Sequence, residues 1–307
     1  MNSSKDLSII IPCYNASRTI KYCMESILNN LKTLDLDYEI IVVDDCSSDN
    51  TVELVKSLFH DVKIIRNKKN MGAAYTRNKG IFHAKGKILM FIDHDVYLKD
   101  DCIRKLIAPL LQDYGLDITY PTVLCHNGEK LSPSTEFEKY FVRKSTIFAI
   151  RFKSLNRLDE FFDENYFAYY EDIDFFFRCF LRGLKAKYIP DAIAFHPVIS
   201  ESRILFRLYM ELKNILYCII KFRRIKRLYK KIFKIPNLIS FLGQLVYVGI
   251  FGVNTFAGCY HKKKVIVPWW KTISILVNVF TWILINRQKI LYKAKHIARH
   301  YVHSCTS

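Results

Sequence analysis

A chain of 307 residues, half of them hydrophobic and a quarter charged, is long enough to bury a full core, and its composition excludes both a disordered polymer and a many-spanning membrane protein. The formal charge of +18 is unevenly placed: residues 201–307 hold 20 Lys/Arg against Glu201 and Glu211, which leaves 27 basic and 27 acidic residues in the first 200. The body therefore reads as an ordinary soluble domain, and the last third as a surface that meets something anionic. Nine scattered cysteines with no CxxC pair argue against a disulfide framework and against a structural zinc site, and they fit a reduced, cytosolic compartment. Polar residues Asn2 to Asp6 lead straight into an apolar strand, so no secretory leader is expected.

In chain order, Leu7 to Pro12 is a β-branched run that predicts a buried strand stopped by Pro12. Arg18 to Asn30 predicts a helix whose core face carries Ile20, Cys23, Met24, Ile27 and Leu28, with Leu31 just beyond. Tyr38 to Val43 predicts a second strand, and Ser47, Ser48 and Asp49 predict the cap of a helix from about Asn50 to Phe59. Val62 to Ile65, Ala73 to His83 and Lys87 to Ile92 read as strand, helix and strand. This alternation predicts an α/β domain with a parallel sheet and helices on both faces, its ligand beyond the carboxyl ends of the strands. Asp44, Asp45, Asp93 and Asp95 fall at those ends.

Asp93-His94-Asp95 after an apolar strand offers two carboxylates of the kind a hard divalent cation on a diphosphate takes, though such a triplet also occurs as a solvated loop start. Asn70-Met71-Gly72 opens the helix that precedes this strand. Glycine there permits close backbone approach, a helix N-terminus favours anions, and Arg77 is able to pair with phosphate. Taken singly, each of these reads as a cap or a turn. Glu171-Asp172 reads equally well as an acid pair on a helix dipole, and His196 as a strand-end histidine.

As a set, Ser8 to Asn15, Ile41 to Asp49, Asn70-Met71-Gly72 through Arg77 to Gly80, and Phe91 to Asp95 resemble family 2 glycosyltransferases. Phe162 to Asp174, with Arg178, Gly183, Pro190 and His196, is similar to their rhamnosyltransferase-like and galactofuranosyltransferase-like branch. The resemblance covers roughly Leu7 to Val198. It implies the GT-A fold, a Rossmann-like nucleotide-sugar-binding domain, and an inverting transfer assisted by Mn2+ or Mg2+. It also implies residue roles. Pro12, Tyr14 and Asn15 would border base and ribose, Asp45 would bond the base, and Asn70, Gly72 and Arg77 would line the nucleotide. Asp93 would face the ribose, Asp95 and His196 would hold the metal, and Asp172 of the Glu171-Asp172 pair would be the general base. Aromatic neighbours Tyr166, Phe167, Tyr169, Tyr170 and Phe175 would partly desolvate that base and raise its basicity.

The expected division is a catalytic domain over residues 1–200 and a basic, hydrophobic helical region over 201–307. Lys221 to Lys234 interleaves eight cations with apolar side chains, the pattern of an interfacial helix on anionic lipid. Single-stranded nucleic acid is the rival partner, and the uncharged stretch Ile235 to His261 favours lipid. That stretch is long enough to cross a bilayer, but Pro236, Asn237, Gln244 and Asn254 favour embedded or re-entrant helices. The expected enzyme works at the cytoplasmic face of a membrane on a lipid-linked or cell-surface glycan acceptor. A polyprenyl-phosphate sugar synthase and a non-catalytic membrane adaptor are the alternatives.

Overall fold

Strands form where the β-branched runs predict them. The computed structural model describes residues 5–125, 146–196, 204–222 and 269–304. They fall into two units, Met1–Val198 and Ile199–Ser307. In the first, β1 (Lys5–Cys13), β2 (Tyr38–Asp44), β3 (Val62–Arg66) and β4 (Gly86–Ile92) alternate with α1 (Ile20–Leu31), α2 (Thr51–Leu58) and α3 (Ala73–His83). Then come β5 (Tyr97–Leu98), α4 (Cys102–Gln112), β6 (Ile118–Leu124), β7 (Ile147–Arg151), α5 (Glu171–Leu181) and β8 (Ala186–Phe195). All eight strands join one sheet in the order β3-β2-β1-β4-β7-β6-β8-β5.

β1 lies between β2 and β4, with Ile9 opposite both Ile40 and Met90, and Ile9, Ile10 and Ile11 are wholly buried. A strand covered on both faces needs apolar residues at consecutive positions, which is why this run does not alternate with polar ones. α1 packs Ile20, Cys23, Met24, Ile27 and Leu31 into the same core, with Leu28 partly buried beside it. Each such large aliphatic side chain contributes about 1.5–3 kcal/mol by leaving water.

The second half departs from the parallel expectation. β7 runs antiparallel between β4 and β6, and β5 runs antiparallel to β8. Strand alternation implies a parallel sheet only where a helix carries the chain back across it, and antiparallel neighbours need no such crossover. The register matters for the site. Tyr97 lies opposite Phe195, which sets the residue after β8 against the residues before β5.

The second unit contains α6 (Ile204–Lys221), α7 (Trp269–Ile285) and α8 (Arg287–Ser304). Leu212 and Leu216 of α6 pack on Ile275 and Val279 of α7, and Tyr217 meets Trp282 edge to face at 5.7 Å. The Lys213 ammonium sits 4.7 Å from the Trp282 ring centre, and burial lowers it to about 8. Among the described residues, no helix is long and apolar enough to cross a membrane. Most of the basic run Lys221 to Lys234 and all of Ile235 to His261 lie outside the described residues.

Candidate active site

The carboxyl ends of β1, β2 and β4 form one edge, and their loops staple one another. Pro12, opposite Val43, does not stop the strand as expected: β1 runs on through the buried Cys13, opposite Asp44, and Tyr14 follows half-buried. Asn15 adopts a φ of 51°, its N–H donates to Ser47 Oγ at 2.8 Å, and its Oδ1 accepts from the Ser48 N–H at 2.8 Å. The buried Asp44 accepts from the Ser47 N–H and pairs with Arg66 at 3.1 Å. The cap position of α2 falls on Asn50, whose side chain makes no cap bond, and of the expected residues Ser47, Ser48 and Asp49 it is Asp49 that accepts from the Thr51 N–H, at 3.1 Å.

Asp45, set by sequence against the nucleotide base, is buried and already engaged. Its Oδ1 accepts from Asn67 Nδ2 at 2.7 Å and the Met71 N–H at 2.8 Å, and its Oδ2 accepts from the Gly72 N–H at 2.8 Å. It therefore fixes the loop that begins α3. Asn70 Oδ1 also reaches the Gly72 N–H, at 3.2 Å. Gly72 has a φ of +86°, and a Cβ placed there would stand 2.1 Å from the Phe167 carbonyl oxygen. That carbonyl accepts from the Ala73 N–H at 2.9 Å, so the N-terminus of α3 holds the segment that leads to α5.

Arg77, expected along the nucleotide, is buried between two carboxylates. Nη1 donates to Glu171 Oε1 and Nη2 to Asp93 Oδ1, each at 2.8 Å. Burial works against its charge, but Asp93, Glu171 and Asp172 together hold it firmly protonated. Arg77 Nε and Glu171 Oε2 are buried with no hydrogen-bond partner among the described residues. Orphaned polar groups of this kind are costly and concentrate where a ligand completes them.

Asp93 directly follows β4, with its N–H bonded to the Thr146 carbonyl at 2.8 Å and its side chain a quarter exposed. Desolvation pushes its carboxyl above the ordinary value, Arg77 pulls it back, and Asp95 adds to the rise. His94 turns away to Thr19 Oγ1 at 2.9 Å. Asp95 is buried, and its Oδ1 lies 3.5 Å from His196 Nε2. The β5–β8 register, together with the His196 N–H bond to the Leu124 carbonyl at 2.9 Å, brings these two residues together from distant parts of the chain. A buried carboxylate oxygen beside an imidazole nitrogen is a donor pair one divalent ion accepts; the oxygen suits Mn2+ and Mg2+ alike, while the nitrogen suits transition ions better.

α5 begins at Glu171, directly after Tyr169 and Tyr170, which take φ values of 64° and 71°. Left-handed conformations at two tyrosines in succession cost about 1 kcal/mol or more each, and such strain clusters at functional sites. They turn the chain so that Glu171, Asp172 and Asp174 occupy the first helical turn, where the dipole favours anions. Asp172 is half-exposed and its Oδ1 accepts from the Ile173 N–H at 2.8 Å.

Two buried residues named in the resembling motifs, without a role of their own, hold the α5 segment here. Asn78 accepts from the Phe162 N–H and donates to the Phe162 carbonyl, both at 2.9 Å, and its Nδ2 also meets Glu164 at 2.9 Å. Arg178 binds Asp174 at 2.7 Å and the carbonyls of Glu160 and Phe161. The carboxylates of Glu160, Asp163 and Asp174 lie within 4.8 Å of one another, and the Arg178 guanidinium, paired with Asp174, offsets part of their charge. That cluster is a structural knot under α5. Apart from Asp174, these partners of Asn78 and Arg178 are 17–86 positions away in the chain, so no local pattern announces these roles.

Residues 8–171, more than half of the chain, match the family described as Glycosyl transferase family 2. The chain belongs to glycosyl transferase family 2. The Escherichia coli (strain K12) glycosyltransferase YibD is 38% identical over 120 residues, which are 38% of this chain and 34% of that protein. The chondroitin synthase of Pasteurella multocida (strain Pm70) is 33% identical over 118 residues, 38% of this chain and 12% of that one. The chain thus matches about a third or less of the length of these relatives. The crystal structure of S. aureus TarS 1-349 in complex with UDP-GlcNAc superposes with a TM-score of 0.57 over 70% of this chain and 66% of that chain, at 20% identity. The superposition agrees with the GT-A form of the α/β fold in this family 2 domain.

Proposed function

We propose that this family 2 glycosyltransferase moves a sugar, with inversion, from a nucleotide-diphosphate donor to a lipid-linked or cell-surface glycan acceptor, at the cytoplasmic face of a membrane. The observation that carries the reading is the convergence on one sheet edge of Asp95 with His196 and of Asp93 with Arg77 and Glu171. Inverting transfer needs a proton acceptor near the attacking hydroxyl and charge compensation at the departing diphosphate.

Asp172 is the proton acceptor in this reading. It is the half-exposed carboxylate of the first turn of α5, whereas Glu171 is buried on Arg77. Asp95 and His196 would hold the divalent ion, which neutralises the leaving diphosphate when bound; the mixed oxygen and nitrogen pair favours Mn2+ over Mg2+. Asp93 would orient the donor beside it, and Pro12, Tyr14, Asn15, Asn70 and Gly72 would border the nucleoside. The UDP-GlcNAc complex of TarS supports a nucleotide-sugar donor, and the chondroitin synthase supports a glycan acceptor. Membrane association rests on the charge of residues 201–307.

The test is a donor screen that measures nucleoside diphosphate release with Mn2+, with Mg2+ and with chelator. Release from one or a few nucleotide-sugars, dependent on a divalent ion, supports the proposal. Ion-independent release removes the metal assignment, and the absence of release and of binding for every donor removes the enzyme.

A further inference from the structure

α7 is apolar on two opposite faces, and among the described residues only one of them is covered. Ile275 and Val279 pack on α6, as does Trp282 through Tyr217. On the other side Val277, Phe280 and Leu284 follow at helical spacing and are 58%, 47% and 70% exposed, with Ile285 at 77% beside them. An isolated exposed leucine is ordinary, but a contiguous apolar stripe along an exposed helix face marks a surface that something else covers.

The residues around the stripe say what. The chain runs on through Asn286, whose N–H bonds the Trp282 carbonyl at 3.0 Å, almost without a break into α8. α8 opens with the exposed cations Arg287 and Lys289, and no acidic residue occurs between Trp269 and Ser304. Apolar side chains beside cations, in a segment without acids, match a bilayer that carries anionic headgroups, and a second copy of the same basic face would repel it. A helix of 17 residues is about 26 Å long, short of the hydrocarbon thickness of about 30 Å.

We infer that α7 lies in the plane of an anionic membrane, with Val277, Phe280, Leu284 and Ile285 inserted and Arg287 and Lys289 on the headgroups. This rests on the membrane part of the function proposed above, but it places the contact in α7 and α8, apart from the basic run Lys221 to Lys234.

The test uses the full chain and flotation on vesicles of phosphatidylcholine with or without phosphatidylglycerol. Wild type should float with the anionic vesicles. The double variant Phe280→Gln/Leu284→Gln should bind at least about tenfold more weakly, with nucleoside diphosphate release in solution unchanged. Because both side chains face outward, their exchange leaves the α6 contact intact. Arg287→Gln/Lys289→Gln, which touches no packing, should lose roughly tenfold or more on anionic vesicles and little on neutral ones. Unchanged flotation of both variants overturns the inference. So does a loss seen only when the cations between Lys221 and Lys234 become Gln, which keeps the membrane reading and moves the contact. A wild-type dimer that Phe280→Gln/Leu284→Gln turns into a monomer, with vesicle binding unaffected, assigns the stripe to a second copy and also overturns it. Flotation through α7 in a protein that releases no diphosphate from any donor upholds this inference while the proposed function fails.

Discussion

Arg77 on α3 and Glu171 at the start of α5 are joined by a 2.8 Å ion pair that is buried on both sides. The same guanidinium holds Asp93 at 2.8 Å, so one side chain connects the end of β4 to the first turn of α5. Removing one partner of a buried pair leaves the other charge stranded, at a cost of about 3–5 kcal/mol. Arg77→Met should therefore lower urea stability by that order. Arg77→Lys, able to reach only one carboxylate, should recover part of the stability but little turnover. If Arg77→Lys matches wild type in kcat while donor KM rises, the side chain touches the donor directly and the bridge is incidental.

Asp95 and His196 should act as one unit toward a divalent ion. Asp95→Asn and His196→Gln should each weaken Mn2+ binding by tenfold or more in calorimetry, and the double variant should lose little beyond the stronger single. Additive losses would show that the two side chains serve different sites.

Asp172→Asn keeps shape and removes the proton acceptor, so turnover should fall by about 10²–10⁴-fold while donor affinity stays near wild type. Near-normal turnover would exclude Asp172 as the base. A matching loss of donor affinity would mark it as a structural residue of the α5 turn.

Gly72→Ala should be damaging far beyond its size. The new methyl would meet the Phe167 carbonyl at 2.1 Å, from a backbone φ of +86° that alanine resists. The cost should be about 1–3 kcal/mol or more, seen as a melting temperature lower by several degrees. Turnover should fall with it, because Phe167 sits on the path to Asp172. An unaltered melting curve would mean that the 162–171 segment is not held by α3.

What could be read from the residues divides at Asp95. Up to β4 the strands and helices lie within a few residues of where periodicity set them, and α3 spans Ala73–His83 as expected. Burial on both faces leaves a strong imprint in that half. Beyond it, the antiparallel entry of β7 and the pairing of β5 with β8 depend on long-range register, which no local pattern encodes. The same limit explains Arg77. A helical arginine after a glycine looks like a phosphate ligand, and only the fold reveals two carboxylates, one of them 94 positions away. Asp45 shows the converse: its place at a strand end was readable, but its three internal donors were not.

The two-residue strand β5 is held to β8 through Tyr97 and Leu98, with the Lys99 N–H on the Ile193 carbonyl at 3.0 Å. Such a short seam at the rim of a sheet has little cooperativity of its own and is an expected place for local opening. Asp95 stands two residues before β5, with Val96 between, and His196 stands immediately after β8. By linkage, an ion that needs both side chains binds the closed seam better than the open one, and so closes it further. Proton exchange at the Lys99 amide would then slow as the ion is added, and ion affinity would fall in any variant that frays β5. The rim of the sheet and the filling of an ion site at Asp95 and His196 would in that sense be a single equilibrium, observable from either end.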